Sequence, residues 1–336
     1  MKSTMRKLMK PALLRALLLA AVSISCLTAA AAEFVVDGIT YSDLGTNAVA
    51  VTGFSGSVKE AVIPETVKYR GKNYTVIAVG GYSWQIPSIE LTTLTIPASV
   101  VEIKYSYFNE TLSYRDYSTS YKYVVPFSKL KAVNVSADNP VYSSQDGVLY
   151  NKSKTKLLSM PKASGLTNFD IPQSVTSIGN EAFQGCSMLE SVSIPASVTS
   201  IGSCAFSDCT SLVSITIPSS VTEIGGGAFS DCTSLESVSI PASVTSIGSC
   251  AFSDCTSLVS ITIPSSVTEI GGGAFEGMCR IATVTCEATD PVELKQQPFS
   301  EMTLMYGTLY VPKGSKQKYR NAKGWSDFDN IKEIGE

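Results

Sequence analysis

The feature that most constrains this chain is a period. Ile-Pro recurs at Ile171-Pro172, Ile194-Pro195, Ile217-Pro218, Ile240-Pro241 and Ile263-Pro264, always 23 residues apart. An Ala-Phe pair keeps the same step and sets Phe183, Phe206, Phe229, Phe252 and Phe275 in one column. Residues 189–229 and 235–275 are identical at all 41 positions, which points to duplication of a two-repeat unit. A period of about 20–50 residues excludes an ordinary globular fold and requires units that stack.

One copy, Leu189 to Ser211, shows how such a unit folds. Val192 and Ile194 are two apart, as side chains on one face of a strand must be. Pro195 ends that strand because it has no N–H for a ladder. Val198, Ile201, Ala205, Phe206 and Cys209 then follow at irregular spacing, as expected if each loop of chain drops apolar groups into a central core. Ser197, Thr199, Ser200, Gly202, Ser203, Ser207 and Asp208 are expected to face water or form turns. A single 23-residue coil cannot bury its own apolar groups, whereas coils stacked at one strand spacing of ~4.8 Å can. Each large side chain so buried contributes about 1.5–3 kcal/mol, and only several coils together offset the chain entropy.

The register reaches beyond the clean copies. Leu166, Phe169 and Ile171 open the preceding coil; Leu130, Val133 and Val135 open another, and Leu91, Leu94 and Ile96 an earlier one. Val284 and Cys286 continue the Val and Ile columns at the far end. Some nine coils are expected, a stack of roughly 40 Å.

The motif L-x-x-V-x-I-P-x-S-V-x-x-I-G-x-x-A-F-x-x-C, in phase over residues 61–286, resembles the BspA-like bacterial leucine-rich repeat family. The stretch from Leu309 through Tyr319 to Phe328 is similar to the closing segment of many members. The resemblance implies an α/β leucine-rich-repeat solenoid, mostly β and irregular coil: a curved stack of about nine coils with a β-rich N-terminal cap and a small C-terminal cap. It also implies an exported or surface-displayed protein, since some relatives act as adhesins for host matrix proteins or other cells.

Four segments follow from the pattern. Residues 1–32 read as a signal peptide: Lys2, Arg6, Lys7 and Lys10 precede the apolar Leu17–Leu27, and Ala29 to Ala32 supply a cleavage site. Lipidation of Cys26 is the alternative, poorly matched by Ser23-Ile24-Ser25 before it, and is the one expected route to a membrane. Residues 33–60 are alternating and β-prone, a cap for the first coil. The solenoid spans 61–290, with hairpin or loop insertions near 69–75, 109–126 and 138–161. Residues 291–336 form a closing cap, with a short helix from Ser315 to Ala322 and with Trp325, Phe328 and Ile331 shielding the last coil.

Composition narrows the chemistry. The chain has no histidine, which removes Ser-His-Asp and Cys-His nucleophiles and any imidazole zinc site. Five of its 26 basic residues and none of its 29 acidic ones precede residue 33, leaving 21 against 29 and a net charge of −8. Nucleic acid is therefore not an expected partner, since it needs a basic footprint. No C-x-x-C pair suggests zinc, and neither a metal nor a cofactor is expected. The triplets Gly225-Gly226-Gly227 and Gly271-Gly272-Gly273 lack the Lys of a phosphate loop and read as turns. Cys186, Cys209, Cys232 and Cys255 share one column; they read either as disulfides between neighbouring coils or as a ladder of buried thiols, the packing use that the family resemblance implies. Cys204 and Cys250 lie two coils apart, too far to bridge.

Two surfaces are candidates for binding. Tyr105, Tyr107, Tyr114, Tyr117, Tyr121 and Tyr123 crowd a short segment, and tyrosines on a rigid scaffold make good contact area. The outward strand positions are Ser191, Ser193, Ser214, Thr216, Ser237, Ser239, Ser260, Thr262, Thr283 and Thr285, with Glu190 and Glu236 beside them. The expected function is non-enzymatic: an exported repeat protein that binds a host or microbial surface protein or glycan. A carbohydrate-active β-helix enzyme and a structural envelope component without a soluble ligand are the alternatives.

Overall fold

The structure is a computed structural model. It describes residues 32–54, 58–80, 90–103, 127–278, 280, 282–294 and 296–336, together with the backbone of 112–115 and 121–124. The signal segment, Cys26, Tyr105, Tyr107 and Tyr117 lie outside the described residues. The chain forms two compact units, residues 1–129 with 133–144, and residues 130–132 with 145–336.

In the larger unit each coil follows the sequence logic. Ser191–Ser193 pairs in parallel with Asn168–Asp170 before it and Ser214–Thr216 after it, and the ladder runs on through Ser237–Ser239. Ser260–Ile263, Thr283–Cys286, Thr308–Val311 and Asn330–Glu333 form a further parallel ladder. Past Pro195 the chain turns, with Val198 N–H donating to Pro195 O, into a short second strand, Ser200–Ile201. That strand belongs to a second parallel ladder with Ser177–Ile178, Glu223–Ile224, Ser246–Ile247 and Glu269–Ile270. A third line of bonds joins the Ala-Phe stretches: Phe206 N–H donates to Ala228 O at 2.7 Å and Phe229 N–H to Ala251 O at 2.8 Å. Three hydrogen-bonded edges per coil leave few backbone groups unpaired, which a solenoid requires.

The core lies between these edges. Val198, Ile201, Ala205, Phe206 and Cys209 are all buried. Phe183, Phe206, Phe229, Phe252, Phe275 and Phe299 stack face to face at centroid spacings of 4.8, 5.3, 5.2, 5.9 and 5.3 Å. One position must be glycine for want of room: a Cβ on Gly225 would stand 2.6 Å from Gly202 C, and one on Gly248 2.4 Å from Gly226 N. Another corner is left-handed in every coil, at Glu181, Cys204, Gly227, Cys250 and Gly273, with φ of 53–64°.

Ser207, expected to face water or form a turn, lies in a turn, where it is buried and donates to Asp208 Oδ2 at 3.3 Å. One expectation needs revision. The repeat was expected to stop near residue 290, but only its motif stops. Thr308–Val311 and Asn330–Glu333 continue the parallel ladder, so the solenoid has about eleven turns instead of nine. Two short helices accompany them, α1 (Glu301–Tyr306) ahead of Thr308–Val311 and α2 (Lys316–Asn321) between the two late strands, and Trp325 and Phe328 pack on Phe299.

The smaller unit carries a sheet in the order Glu33–Val36, Ile39–Gly45, Ala48–Phe54, Lys72–Val79 and Thr66–Tyr69. Its third and fourth strands are parallel and the other neighbours antiparallel, and Arg70-Gly71 makes the tight turn of the last hairpin. A first repeat strand, Glu60–Val62, pairs in parallel with Thr93–Ile96. Asn139 is fully buried and joins several segments of this unit. It donates to Pro97 O and Val100 O at 2.8 Å and accepts from the amides of Val141 and Tyr142.

Candidate functional site

The repeat places its hydroxyl residues in two settings. At the turn after Pro195, Ser197 donates to Val175 O at 2.7 Å, and Ser220, Ser243 and Ser266 do the same to Val198 O, Val221 O and Val244 O. Thr199, Thr245 and Thr268 donate to the Thr carbonyl of the coil before at 3.2 Å. These groups stitch coil to coil and are not available to a ligand.

The first-strand face is different. Ser191, Ser193, Ser214, Thr216, Ser237, Ser239, Ser260 and Thr262 are exposed, while Thr283 and Thr285 are half-buried. Ser191 donates to Asn168 Oδ1 at 2.5 Å. Among the described residues the remaining seven exposed hydroxyls bond to no protein group. The position ahead of each strand alternates in character: Glu190 and Glu236 are exposed, and between them stand Val213 and Val259, exposed by 43% and 51%. The residue pattern marked the hydroxyls; the two exposed valines went unremarked, although their alternation with glutamate is plain in the sequence.

The tyrosine segment is described only in part. Leu112–Arg115 and Tyr121–Val124 pair antiparallel, with Tyr121 opposite Arg115 and Lys122 opposite Tyr114. The insertion near 109–126, expected as a hairpin or loop, thus contains an antiparallel strand pair on which Tyr114, Tyr121 and Tyr123 lie.

The thiols offer little chemistry. Cys209, Cys232 and Cys255 are free and buried, and each donates to the carbonyl of a Phe in the coil before, at 3.1–3.2 Å. Burial pushes the Cys186 and Cys255 thiols up to about 12, and those of Cys209 and Cys232 are raised as well. A thiol held protonated is a poor nucleophile and a poor ligand. Cys286 is buried too and accepts from Tyr319 Oη at 3.1 Å. Asp208, Asp231 and Asp254 share one left-handed corner column, where each accepts from the serine before it. Lys162, the residue of that column one coil before Gly185, has its pKa lowered by burial, against the opposing pull of Cys186, Asp208 and Glu181. Among the described residues no group of three or more Cys, Asp or Glu is placed to hold a metal ion, and no helix is long and apolar enough to cross a membrane.

The family described as BspA type leucine rich repeat region matches in six copies over residues 75–189, 159–282 and 223–306. The chain belongs to this family. A leucine rich cell surface protein from Faecalibacterium prausnitzii is similar at 23% identity, over 84% of this chain and 70% of that one, with a TM-score of 0.39. A leucine-rich repeat protein from Bacteroides ovatus is similar at 24% identity, over 89% and 76%, with a TM-score of 0.49. The pneumococcal vaccine antigen PcpA is similar at 14% identity, over 90% and 99%, with a TM-score of 0.44. No curated protein matches the chain.

Proposed function

We propose that this BspA-type repeat protein is exported, has no enzymatic role, and binds a protein or glycan at the cell surface by multipoint contact on its first-strand face. The observation that carries the reading is the row of seven exposed hydroxyls that bond to no protein group, while at the neighbouring turn Ser197, Ser220, Ser243 and Ser266 each donate to a carbonyl of the coil before. A regular lattice of free donors and acceptors on a rigid ladder suits a glycan or an extended protein surface. The basic start and small-residue site of residues 2–32 support export. The absence of histidine and the protonated thiols support a role without covalent chemistry. The Tyr-rich hairpin is a second contact region under the same reading.

The test is binding of the purified protein to arrays of matrix proteins and glycans. Replacing Ser193, Thr216, Ser239 and Thr262 together by Ala should abolish binding and leave the melting temperature nearly unchanged, since these exposed hydroxyls bond to no protein group. Replacing Tyr114, Tyr117 and Tyr121 by Ser should weaken it. Binding that survives the first set removes the sheet face from consideration, and turnover of a polysaccharide on the same array would overturn the non-enzymatic role.

A further inference from the structure

The two ends of the repeat ladders are finished differently. In the strand Asn330–Glu333, Ile334 N–H donates inward to Val311 O, so the amides of Ile331 and Glu333 point to the outer edge. Asp329 N–H, ahead of the strand, donates back to Leu304 O at 3.0 Å, and the outward Glu333 N–H is occupied by Glu336 Oε2 at 3.3 Å. This is a blunted edge.

Among the described residues, the first repeat strand, Glu60–Val62, has no such cover. Thr93 N–H donates to Lys59 O at 3.2 Å and Ile63 N–H to Thr95 O at 3.0 Å. By the parallel register, the N–H and C=O of Glu60 and Val62 therefore face away from Thr93–Ile96. No backbone partner among the described residues takes them. A groove of about 330 Å³ runs alongside this edge. Its floor is apolar, from the buried Ile39, Tyr41, Ala61 and Val67, and its rim carries Asp37 and Glu60 against the single cation Lys68. Val62, 70% exposed, stands at the lip.

We propose that this edge is a peptide-binding site, which takes an extended segment of a partner protein as an added strand. Main-chain bonds to Glu60 and Val62 would supply the pairing, and the groove would receive one apolar side chain of the segment. The two carboxylates on the rim select a segment with basic residues flanking that apolar one. The end strand of a second copy does not suit the edge, because its outward amide at Glu333 is already bonded to Glu336. The site is independent of the first-strand face, so either reading stands if the other fails.

The probe is a short fluorescein-labelled peptide in which valine and threonine alternate between two terminal lysines, added to the purified protein and followed by anisotropy. Saturable binding is expected, with slowed hydrogen exchange at the Glu60 and Val62 amides. Val62→Pro removes an N–H that makes no bond within the protein, so the fold should persist while affinity drops about tenfold or more. Glu60→Lys, a surface charge reversal, should weaken binding and flatten its salt dependence. Three results would overturn the proposal: no binding by the native protein, unchanged exchange at both amides with peptide bound, or equal affinity in both variants. Sedimentation as a dimer that Val62→Pro dissociates would overturn it as well, by making a second copy the occupant.

Discussion

Ser220 and Ser214 lie six residues apart in one coil and do opposite work. The first turns inward, donates to Val198 O and binds its coil to the one before. The second stands on the first-strand face, exposed, its hydroxyl bonded to no protein group. The same contrast divides the whole coil. At the turn and its continuation, Gly225, Ser220 and Phe229 all engage a neighbouring coil. On the strand face every outward group from Val213 to Thr216 is free for something else. The lesson is that stability and recognition are assigned to different edges of one repeat, so each can be altered without the other.

The largest effects belong to the engaged edge. Phe229→Ala removes a ring stacked on both sides, at 5.3 Å and 5.2 Å, and should cost about 3–5 kcal/mol in chemical denaturation. Gly225→Ala puts a methyl where the backbone of the neighbouring coil already stands, and should cost about 1–3 kcal/mol or more. If either variant unfolds at the denaturant concentration of the native protein, coil-to-coil packing is not what holds the solenoid.

Alkaline pH should sharpen the comparison next. The Cys255 thiol titrates near 9.0 when unfolded and is pushed up to about 12 by burial. A group whose pKa rises on folding contributes stability below its unfolded value and loses it as pH climbs to the folded one. The melting temperature should therefore fall between about pH 9 and pH 12, the buried phenols of Tyr41 and Tyr150 adding to the loss above pH 10. Cys255→Ala should lower the melting temperature at neutral pH and flatten its alkaline decline. A decline of equal steepness in that variant would show that other groups carry it. Reaction with a thiol reagent near neutral pH should mark the exposed Cys250 in the native protein and reach Cys209 and Cys232 only on unfolding.

Much of this was legible in the residues. A strict period with Phe and Cys in phase leaves few arrangements that bury both, so the stack and its core column followed from spacing, and the family from the motif's resemblance. The late strands did not. Thr308–Val311 and Asn330–Glu333 pair in the ladder and bury Leu309, Val311 and Ile331, but α1 ahead of the first and α2 between the two stand where the earlier coils carry the motif. The buried Asn139 was equally silent, since a lone polar residue between hairpins carries no periodic mark. The hydroxyl positions were harder still. Serine is compatible both with a turn that bonds a carbonyl and with a solvated strand, and only three-dimensional placement tells Ser220 from Ser214.

That ambiguity sets up the smallest and most direct comparison. Ser220→Ala leaves Val198 O without the donor it has at 2.5 Å in a half-buried corner, and should cost about 1 kcal/mol. Ser214→Ala removes a hydroxyl that only water bonds, and should stay within about 0.5 kcal/mol of the native protein. Both changes delete one oxygen from one coil of one protein, so helix or strand propensity, net charge and chain length cancel between them. The difference in unfolding free energy then reports the setting of the hydroxyl and little else. Equal costs would mean that the turn hydroxyls are as idle as those on the strand face, and the division of labour between the two edges would have to be given up.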